Sequence, residues 1–522
     1  MMLDSSVMNV SIATVAKDVG TTVSGIQVAI TLYTLVMATM MITGGKIGTM
    51  IGHRRAFSLG CIVYGAGSLT TGLAPNVTAL YLGWSLFEGL GAALIMPAIV
   101  ALVATNFPPE GRARAYGLVA SAGAIAVALG PLIGGFATTY FSWRYVFFGE
   151  LVVVLVILML GRRIEDAPHR GSSDFDVAGA VLSALGLGLG VFGVLRSGAW
   201  GWVTPKPDAP SLFGISAVVW LLISSLVVLR LFLAWEQRRI ARDREPLVDL
   251  SILKNRQLQG GLTVFFFQFF VQAGMFFVVP LFLSVVLGLS AFETGLRLLP
   301  LSIALLIAAA GIPKVFPHAS PRRVVQIGLV ALCGGLVLLM GLLDVGSGPE
   351  VVSMPLLLVG LGIGALASQL GAVTVSALPD ELSGEVGGLQ NTMTNLGASL
   401  GTALAGSILI AVLTSSFLSG VQHNPAVPSS ISSGAQVELA AGAPFVSDAQ
   451  LKTALDTAKI PPATATAILD ENAAARIHAL QSSLLVLALF GLVALFFTPR
   501  IPTAPVGGAP ASVPDDAPLQ PT

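Results

Sequence analysis

The sequence predicts an all-α integral membrane protein of fourteen spanning helices, the first one incomplete, built as two six-helix pseudo-symmetric halves plus two inserted helices. Three observations carry this. Of 522 residues, 54% are apolar and only 10% are charged, where soluble domains carry about 25% charged residues, and mean hydropathy is +0.86. Apolar runs long enough to cross a bilayer recur between short polar turns, and crossing takes about 20 residues. The chain also matches itself at an offset of 271 residues.

The same composition excludes other classes. Lys+Arg and Asp+Glu balance at 27 each, so there is no broad basic patch for nucleic acid. The chain is too apolar to be disordered. Cys61 and Cys333 both lie inside apolar runs, which suits packing and fits neither a disulfide framework nor a metal site. No metal and no cofactor are expected.

The elements follow in order. The first run, Leu3 to Ala16, has 14 residues and includes Asp4. That is short for a span, so the native chain is expected to carry about ten further residues before Met1. Full spans are placed at 25–44, 56–74, 79–103, 115–138 and 145–161, completing a first half over 1–163. Two inserted spans, 176–195 and 213–235, occupy 164–257 with their polar linkers. The second half, 258–498, holds spans at 260–287, 294–312, 324–343, 352–375, 389–415 and 480–498. A long outward loop, 416–479, contains a short helix from Ser447 to Thr457, which Ser447 caps and Pro461-Pro462 stops. The tail, 499–522, is rich in Pro and Ala and reads as disordered.

An even number of spans puts both termini on one side. With the 44–55 turn on the inside, 19 of the 27 basic residues face the cytoplasm. The positive-inside rule then makes both termini cytoplasmic, in a multi-pass protein of the inner (plasma) membrane.

The internal match aligns Gly89-Leu90-Gly91 with Gly360-Leu361-Gly362, Pro108 and Glu110 with Pro379 and Glu381, Gly117-Leu118 with Gly388-Leu389, Leu129-Gly130 with Leu400-Gly401, and Gly135 with Gly406. Both copies run the same way through the membrane. A parallel repeat of two halves implies a transporter whose site lies between them near the midplane.

Candidate residues come from depth and spacing. Glu88 lies nine residues below the outer start of span four, roughly 14 Å deep, and Asp4 lies at a comparable depth, roughly 18 Å. An ionised carboxylate there costs about 2.5–3.5 kcal/mol or more, so Asp4 and Glu88 are the proton-coupling candidates. Glu150, roughly 7–8 Å below the outer face, reads as able to snorkel outward. Asn9, the i, i+4 pair Gln268 and Gln272, and the pair Asn391 and Asn395 are candidates to line a substrate cavity. In the basic turn 45–55, Gly45, Gly52, Arg54 and Arg55 are gating candidates. In span five, Gly130, Pro131, Gly134 and Gly135 permit close packing and a hinge.

Four stretches converge on one family: Leu3-Asp4-Ser5-Ser6-Val7-Met8-Asn9-Val10, the turn Gly45 to Arg55, the Glu88-bearing stretch Leu82 to Ala93, and Gly130-Pro131-Leu132-Ile133-Gly134-Gly135. Together they resemble the major facilitator superfamily, and the span count with the first stretch resembles its fourteen-span drug:proton antiporter branch. The resemblance implies proton-driven export of amphipathic compounds by rocking of two halves. The chain departs from the family pattern at Thr49, where an aspartate is usual, at Ser85 and Glu88, where arginine and glutamine are usual, and at Ala126, where glycine is usual.

Enzymatic readings find no support. Gly188 to Gly193 matches a dinucleotide fingerprint but lies inside span seven with no preceding strand. All five histidines fall in loops or at their edges, and no His-Glu-x-x-His, Gly-x-Ser-x-Gly or phosphate-binding loop occurs. The expected function is a proton-coupled secondary active exporter of amphipathic small molecules, working as a monomer. Its partners are the small-molecule substrate, protons and membrane lipid, without nucleic acid. The alternatives are an importer or uniporter of a small nutrient, and a membrane-embedded lipid-modifying enzyme.

Overall fold

The computed structural model describes residues 2–107, 109–161, 164, 175–206, 209–242, 244, 246–247, 251–378, 383–428 and 448–504. The first half contains α1 (Met2–Val10), α2 (Ile12–Asp18), α3 (Val23–Ile51), α4 (His53–Gly72), α5 (Val77–Leu80) leading through a π-helical segment Tyr81–Glu88 into α6 (Gly89–Asn106), α7 (Pro109–Tyr140) and α8 (Arg144–Leu160). α9 (Val177–Trp200) and α10 (Ala217–Ile240) follow and pack on one another, at the place of the expected insertion. There follow α11 (Arg256–Leu281), α12 (Ala291–Arg297), α13 (Leu299–Val315), α14 (Pro321–Leu342), α15 (Ser353–Val375), α16 (Ser383–His423), α17 (Asp448–Thr457) and α18 (Pro462–Leu495).

A helix stands at every place where the sequence puts a span. Among the described residues, nine helices are long and apolar enough to cross a membrane, or ten if the bent pair α12–α13 is one span. The expected fourteen is not reached on that measure, for local reasons. The first run breaks at Ser11 into two short helices. α4 carries His53-Arg54-Arg55 in its first turn, and α8 has 17 residues.

Packing repeats between the halves. α1 lies on α7 as α11 lies on α16; α3 and α4 flank α6 as α13 and α14 flank α15; α4 meets α8 as α14 meets α18. The halves touch where α3 packs on α16 and where α7 packs on α12 and α13. α9 leans on both α3 and α16, with the Ser407 hydroxyl donating to the Val194 carbonyl at 2.8 Å. At the other end of the inserted pair, Asp176 caps α9 and accepts from Trp235 Nε1 at 2.9 Å, and Arg239 Nε stands 3.5 Å from it. Glu236 accepts the Leu247 N–H at 2.9 Å, which ties the charged linker to the helix it leaves.

Five expectations are corrected. The basic stretch 45–55 is not a loop. α3 continues to Ile51, α4 starts at His53, and Gly52 alone makes the turn. Its φ of 98° and ψ of 136° belong to a region that only glycine enters cheaply. The outward loop is shorter than 416–479, because α16 runs to His423 and α18 begins at Pro462. Within it α17 forms as expected and ends at Thr457, with Lys459 at φ 56°. Pro461 and Pro462 cap and start α18 rather than merely stopping α17, since proline suits a first helical turn. Residues 429–447 of the loop, Ser447 included, lie outside the described residues, as do Pro108, Pro379 and Glu381 of the internal match.

The tail does not start at 499 as a disordered segment. Arg322 donates to the Pro499 and Ile501 carbonyls at 2.6 and 2.8 Å, and Ile501 is fully buried. The residues from 505 onward lie outside the described ones. Last, span eight begins at Ala217, because Ser211–Leu212 and Ile215–Ser216 pair as a small antiparallel hairpin, β1–β2. Its turn residues Phe213 and Gly214 both have positive φ.

Candidate functional site

Four elements of the first half meet inside the bundle. α1 brings Asp4, the π-helical segment ends in Glu88, α8 brings Glu150, and α4 lies between them with Tyr64 and Thr71. The π segment adds a residue to one turn, a feature that recurs at functional sites. It packs closely on α4. A Cβ on Gly67 would lie 2.7 Å from the Glu88 nitrogen, and one on Gly83 would lie 2.7 Å from the Thr71 nitrogen.

One oxygen from each of Asp4, Glu88 and Glu150 lies within 4.8 Å of the other two. Asp4 and Glu88 are fully buried and Glu150 half-buried. Asp4 Oδ2 accepts from Tyr64 Oη at 3.1 Å and from Trp84 Nε1 at 3.3 Å. Tyr64 Oη also lies 3.2 Å from Glu150 Oε2. Thr71 Oγ1 is 3.4 Å from Glu88 Oε1 and 2.8 Å from the Gly67 carbonyl, while Glu88 Oε2 makes no hydrogen bond. Tyr33 stacks on Trp84 with ring centroids 5.0 Å apart, and its hydroxyl lies beside Asp4.

This arrangement can hold a shared proton. A phenol carries one hydrogen. Tyr64 can donate to Asp4 or to Glu150, not to both. The second contact is a hydrogen bond only when that carboxyl is itself protonated and donates to the phenol oxygen. Three carboxylates held this close also cannot all be charged cheaply, because like charges in a medium of low dielectric repel strongly.

The sequence-derived candidates separate into groups. Asp4 and Glu88 come together as the depth argument expects. Glu150 joins them instead of snorkelling outward. Asn9 is half-buried on α1, with its amide donating to the Ser5 carbonyl at 2.8 Å and its Oδ1 unsatisfied. Gln268, buried, and Gln272 lie on α11, each with an unsatisfied Oε1. Asn391 and Asn395 lie on α16, and both donate to carbonyls of their own helix, at 3.0 and 2.9 Å. These amides occupy α1, α11 and α16, of which α11 packs on both others, and none of them bonds to the carboxylates.

The gating candidates stand at the α3–α4 junction. A Cβ on Gly45 would meet Pro97 of α6 at 3.5 Å, Gly52 makes the turn, Arg54 is half-buried and Arg55 exposed. The hinge stretch lies between two partners. Gly130 and Gly134 rest on Ser6 and Val7 of α1, a built Cβ falling 2.6 Å from each side chain. On the other face Gly135 rests on the backbone of Ala291 and Phe292, and the Pro131 carbonyl receives Gly295 of α12. The repeat-related Gly406 of α16 likewise rests on Gln27 of α3, whose amide donates to the Thr402 and Ala403 carbonyls at 3.1 and 3.3 Å. Ser399 Oγ donates to the Thr31 carbonyl at 3.0 Å across the same seam. Gln27, Ser399, Tyr33, Tyr64 and Trp84 are site and seam residues that the sequence reading did not select.

Comparison with known proteins agrees with this architecture. The profile described as Major Facilitator Superfamily matches residues 1–178 and 175–402. The chain is similar to the tetracenomycin C resistance and export protein of Streptomyces glaucescens, 30% identical over 78% of this chain and 73% of that one. It is also similar to the puromycin resistance protein pur8 of Streptomyces alboniger, 29% identical over 78% of each. In fold it resembles the human organic anion transporter MFSD10, with a TM-score of 0.54 at 12% identity, covering 95% of this chain and 96% of that one.

Proposed function

The chain belongs to the Major Facilitator Superfamily, as a multi-pass membrane transporter and not an enzyme, and on that footing we propose that it is a proton-coupled exporter of amphipathic small molecules. In this reading fourteen spans place both termini in the cytoplasm, and two halves, 1–163 and 258–498, rock around a central path with 164–257 inserted between them.

The observation that carries the reading is the carboxylate trio bridged by Tyr64. Buried intramembrane acids are expensive and mark ion or proton pathways. Here one hydroxyl lies between two acids, an arrangement that a shared proton would satisfy. The substrate path lies elsewhere, between the halves, where Asn9, Gln268, Gln272, Asn391 and Asn395 offer amides. The names of the relatives, an antibiotic export protein and an antibiotic resistance protein, support export and an amphipathic substrate class.

Orientation gives the seam a meaning. The contacts at Gln27 and Gly406, and at Gly135, Ala291 and Gly295, fall toward the outer ends of their helices. This conformation is then closed to the outside. Gly45, Gly52, Arg54 and Arg55 sit at the opposite, cytoplasmic end, where a gate has to act when the transporter turns over.

Everted membrane vesicles test the coupling. With ethidium as probe, an inward-acid proton gradient is expected to drive dye accumulation inside the vesicles, and a protonophore to abolish it. Accumulation that survives the protonophore overturns proton coupling, and gradient-driven loss of dye from the vesicles overturns export. Orientation is tested separately. Cys61 and Cys333 are buried, so an Ala463→Cys variant provides one exposed thiol at the start of α18. Impermeant maleimide is expected to label it on intact cells, and labelling only after lysis overturns the topology.

A further inference from the structure

We propose that the hairpin β1–β2 is an interfacial anchor whose tip, Phe213, enters the apolar boundary of the bilayer just beneath the lipid headgroups, beside α10. The hairpin lies between the end of α9 at Trp200 and the start of α10 at Ala217. It therefore stands at one membrane surface whichever way the chain is oriented.

The turn holds an unusual residue. Leu212 pairs with Ile215, which leaves Phe213 and Gly214 as a two-residue turn. Their φ values are 54° and 74°. Tight hairpins favour positive φ at both central positions, and Asn-Gly or Asp-Gly is the usual occupant. Glycine enters this region freely, whereas a residue with a Cβ is strained there. Here the strained position carries a phenylalanine that is 85% exposed. In water that choice weakens the turn and leaves a large apolar ring uncovered. Entry of the ring into lipid removes it from water and offsets the strain.

The geometry aims the tip at lipid. Trp220 Nε1 donates to the Leu212 carbonyl at 3.3 Å, and the rings of Phe213 and Trp220 meet edge to face with centroids 6.2 Å apart. The tip is thus held at the level of Trp220, the fourth residue of α10, about 5 Å in from its start. That is the depth at which tryptophans gather at membrane interfaces. Trp220 also heads an apolar stripe. Ile223, Val227 and Leu231 follow it at i+3, i+7 and i+11, all exposed on a helix long and apolar enough to cross the membrane. The tip continues that lipid-facing surface. Ala209 to Ser216 carries no charge, so the attraction is to apolar lipid and not to headgroup charge. Strands of two residues offer too short an edge to seat a second copy.

The mount is firm and leads back to the transporter. The Ser216 N–H donates to the Val203 carbonyl at 2.8 Å, Ser216 Oγ to the Gly201 carbonyl at 2.7 Å, and Lys206 Nζ to the Gly198 carbonyl at 2.7 Å. Gly198 is pressed against Ser407 of α16. An anchored tip therefore fixes the depth of the end of α9 that packs on the second half.

The test is Leu212→Cys carrying the fluorophore nitrobenzoxadiazole, on the purified full chain at one copy per nanodisc. Both native cysteines are buried, so the introduced thiol takes the label. Ala463→Cys, exposed at the start of α18, is the aqueous control. Lipids spin-labelled high on the acyl chain are expected to quench the label at 212 more than lipids labelled low on the chain. Iodide should quench it several-fold less than the label at 463, equally in zwitterionic and anionic bilayers. Adding Phe213→Asn keeps a residue that tolerates positive φ and removes the ring. It is expected to raise iodide quenching at 212 several-fold with melting temperature not lowered. Equal iodide quenching at 212 and 463 without lipid quenching places the hairpin in water and overturns the proposal. Protection that appears only when two copies share a nanodisc overturns it in favour of a second copy. Protection unchanged by Phe213→Asn overturns Phe213 as the anchor, and protection that needs anionic lipid overturns its apolar basis.

Discussion

Asp4→Asn is expected to abolish proton-driven export, lowering it by about 10²-fold or more, the scale of removing a positioned proton-transfer group. The substitution keeps the volume of the side chain. Its amide oxygen can still accept from Trp84 and Tyr64, which donate to Asp4 Oδ2 at 3.3 and 3.1 Å. Folding is therefore retained, and melting temperature and monodispersity should match the parent. What the amide cannot do is take up and release a proton. Glu88→Gln is expected to lower transport as well, with dye binding less affected in both variants. Glu88 is less tightly held, by one contact of 3.4 Å from Thr71, so its loss disturbs the neighbours less. Proton-driven ethidium accumulation and equilibrium dye binding, measured on the same preparations, separate the two roles. Full transport by Glu88→Gln removes Glu88 from the mechanism. Full transport by both variants removes the carboxylates as the coupling site.

Much of the architecture was legible because the bilayer leaves few choices. A backbone crossing hydrocarbon has to satisfy its own hydrogen bonds, so apolar runs become helices, and each run has its helix. The ends were less legible. α16 and α18 continue past the apolar runs into polar residues such as Ser415, Ser416, Glu471 and Asn472, because a helix once started extends at low cost. The basic turn was misread for the same reason: helix α3 carries Gly44, Gly45 and Gly48 inside it, and those glycines read as a loop when they serve close packing.

The site was half legible. Depth along a helix follows from counting residues, and that selected Asp4 and Glu88. Direction around the helix does not follow when a π segment intervenes, and Tyr81–Glu88 shifts the angular position of everything after it. Glu150 was read as snorkelling since only its distance from the helix end was considered. α8 presents it toward α4, where a Cβ on Gly65 would meet Leu151 and Val154 at 3.3 and 3.2 Å. One overlooked signal was available. The chain has only six tyrosines, and Tyr33 and Tyr64 sit mid-span, where a hydroxyl needs a polar partner. The amide candidates show the opposite limit: residue type marks them as polar, but Asn391 and Asn395 spend a donor on their own helix.

Bulk at Gly135 is expected to prevent the seam from closing. The internal repeat pairs Gly135 with Gly406, and each is a small residue of a fifth helix pressed on the second helical region of the opposite half. Their surroundings differ in one respect that decides the size of the effect. A Cβ on Gly135 would strike the Ala291 carbonyl and the Phe292 Cα, which are backbone and cannot turn aside. A Cβ on Gly406 would strike the Gln27 amide, which can swing away at the loss of its bonds to Thr402 and Ala403. Gly135→Leu is therefore expected to reduce transport more than tenfold, and Gly406→Ala only a few-fold, where overpacking of a tight contact costs about 1–3 kcal/mol. The loss at Gly135 should come from conformation and not from unfolding. A reporter at Thr294→Cys distinguishes these, because Thr294 is fully buried on α12 beside the seam. In the parent background it should resist an impermeant maleimide on intact cells. With Gly135→Leu added it should react several-fold faster while the protein stays monodisperse. Equal labelling together with normal transport would mean that the α7–α12 contact is ordinary packing, and that the halves separate elsewhere.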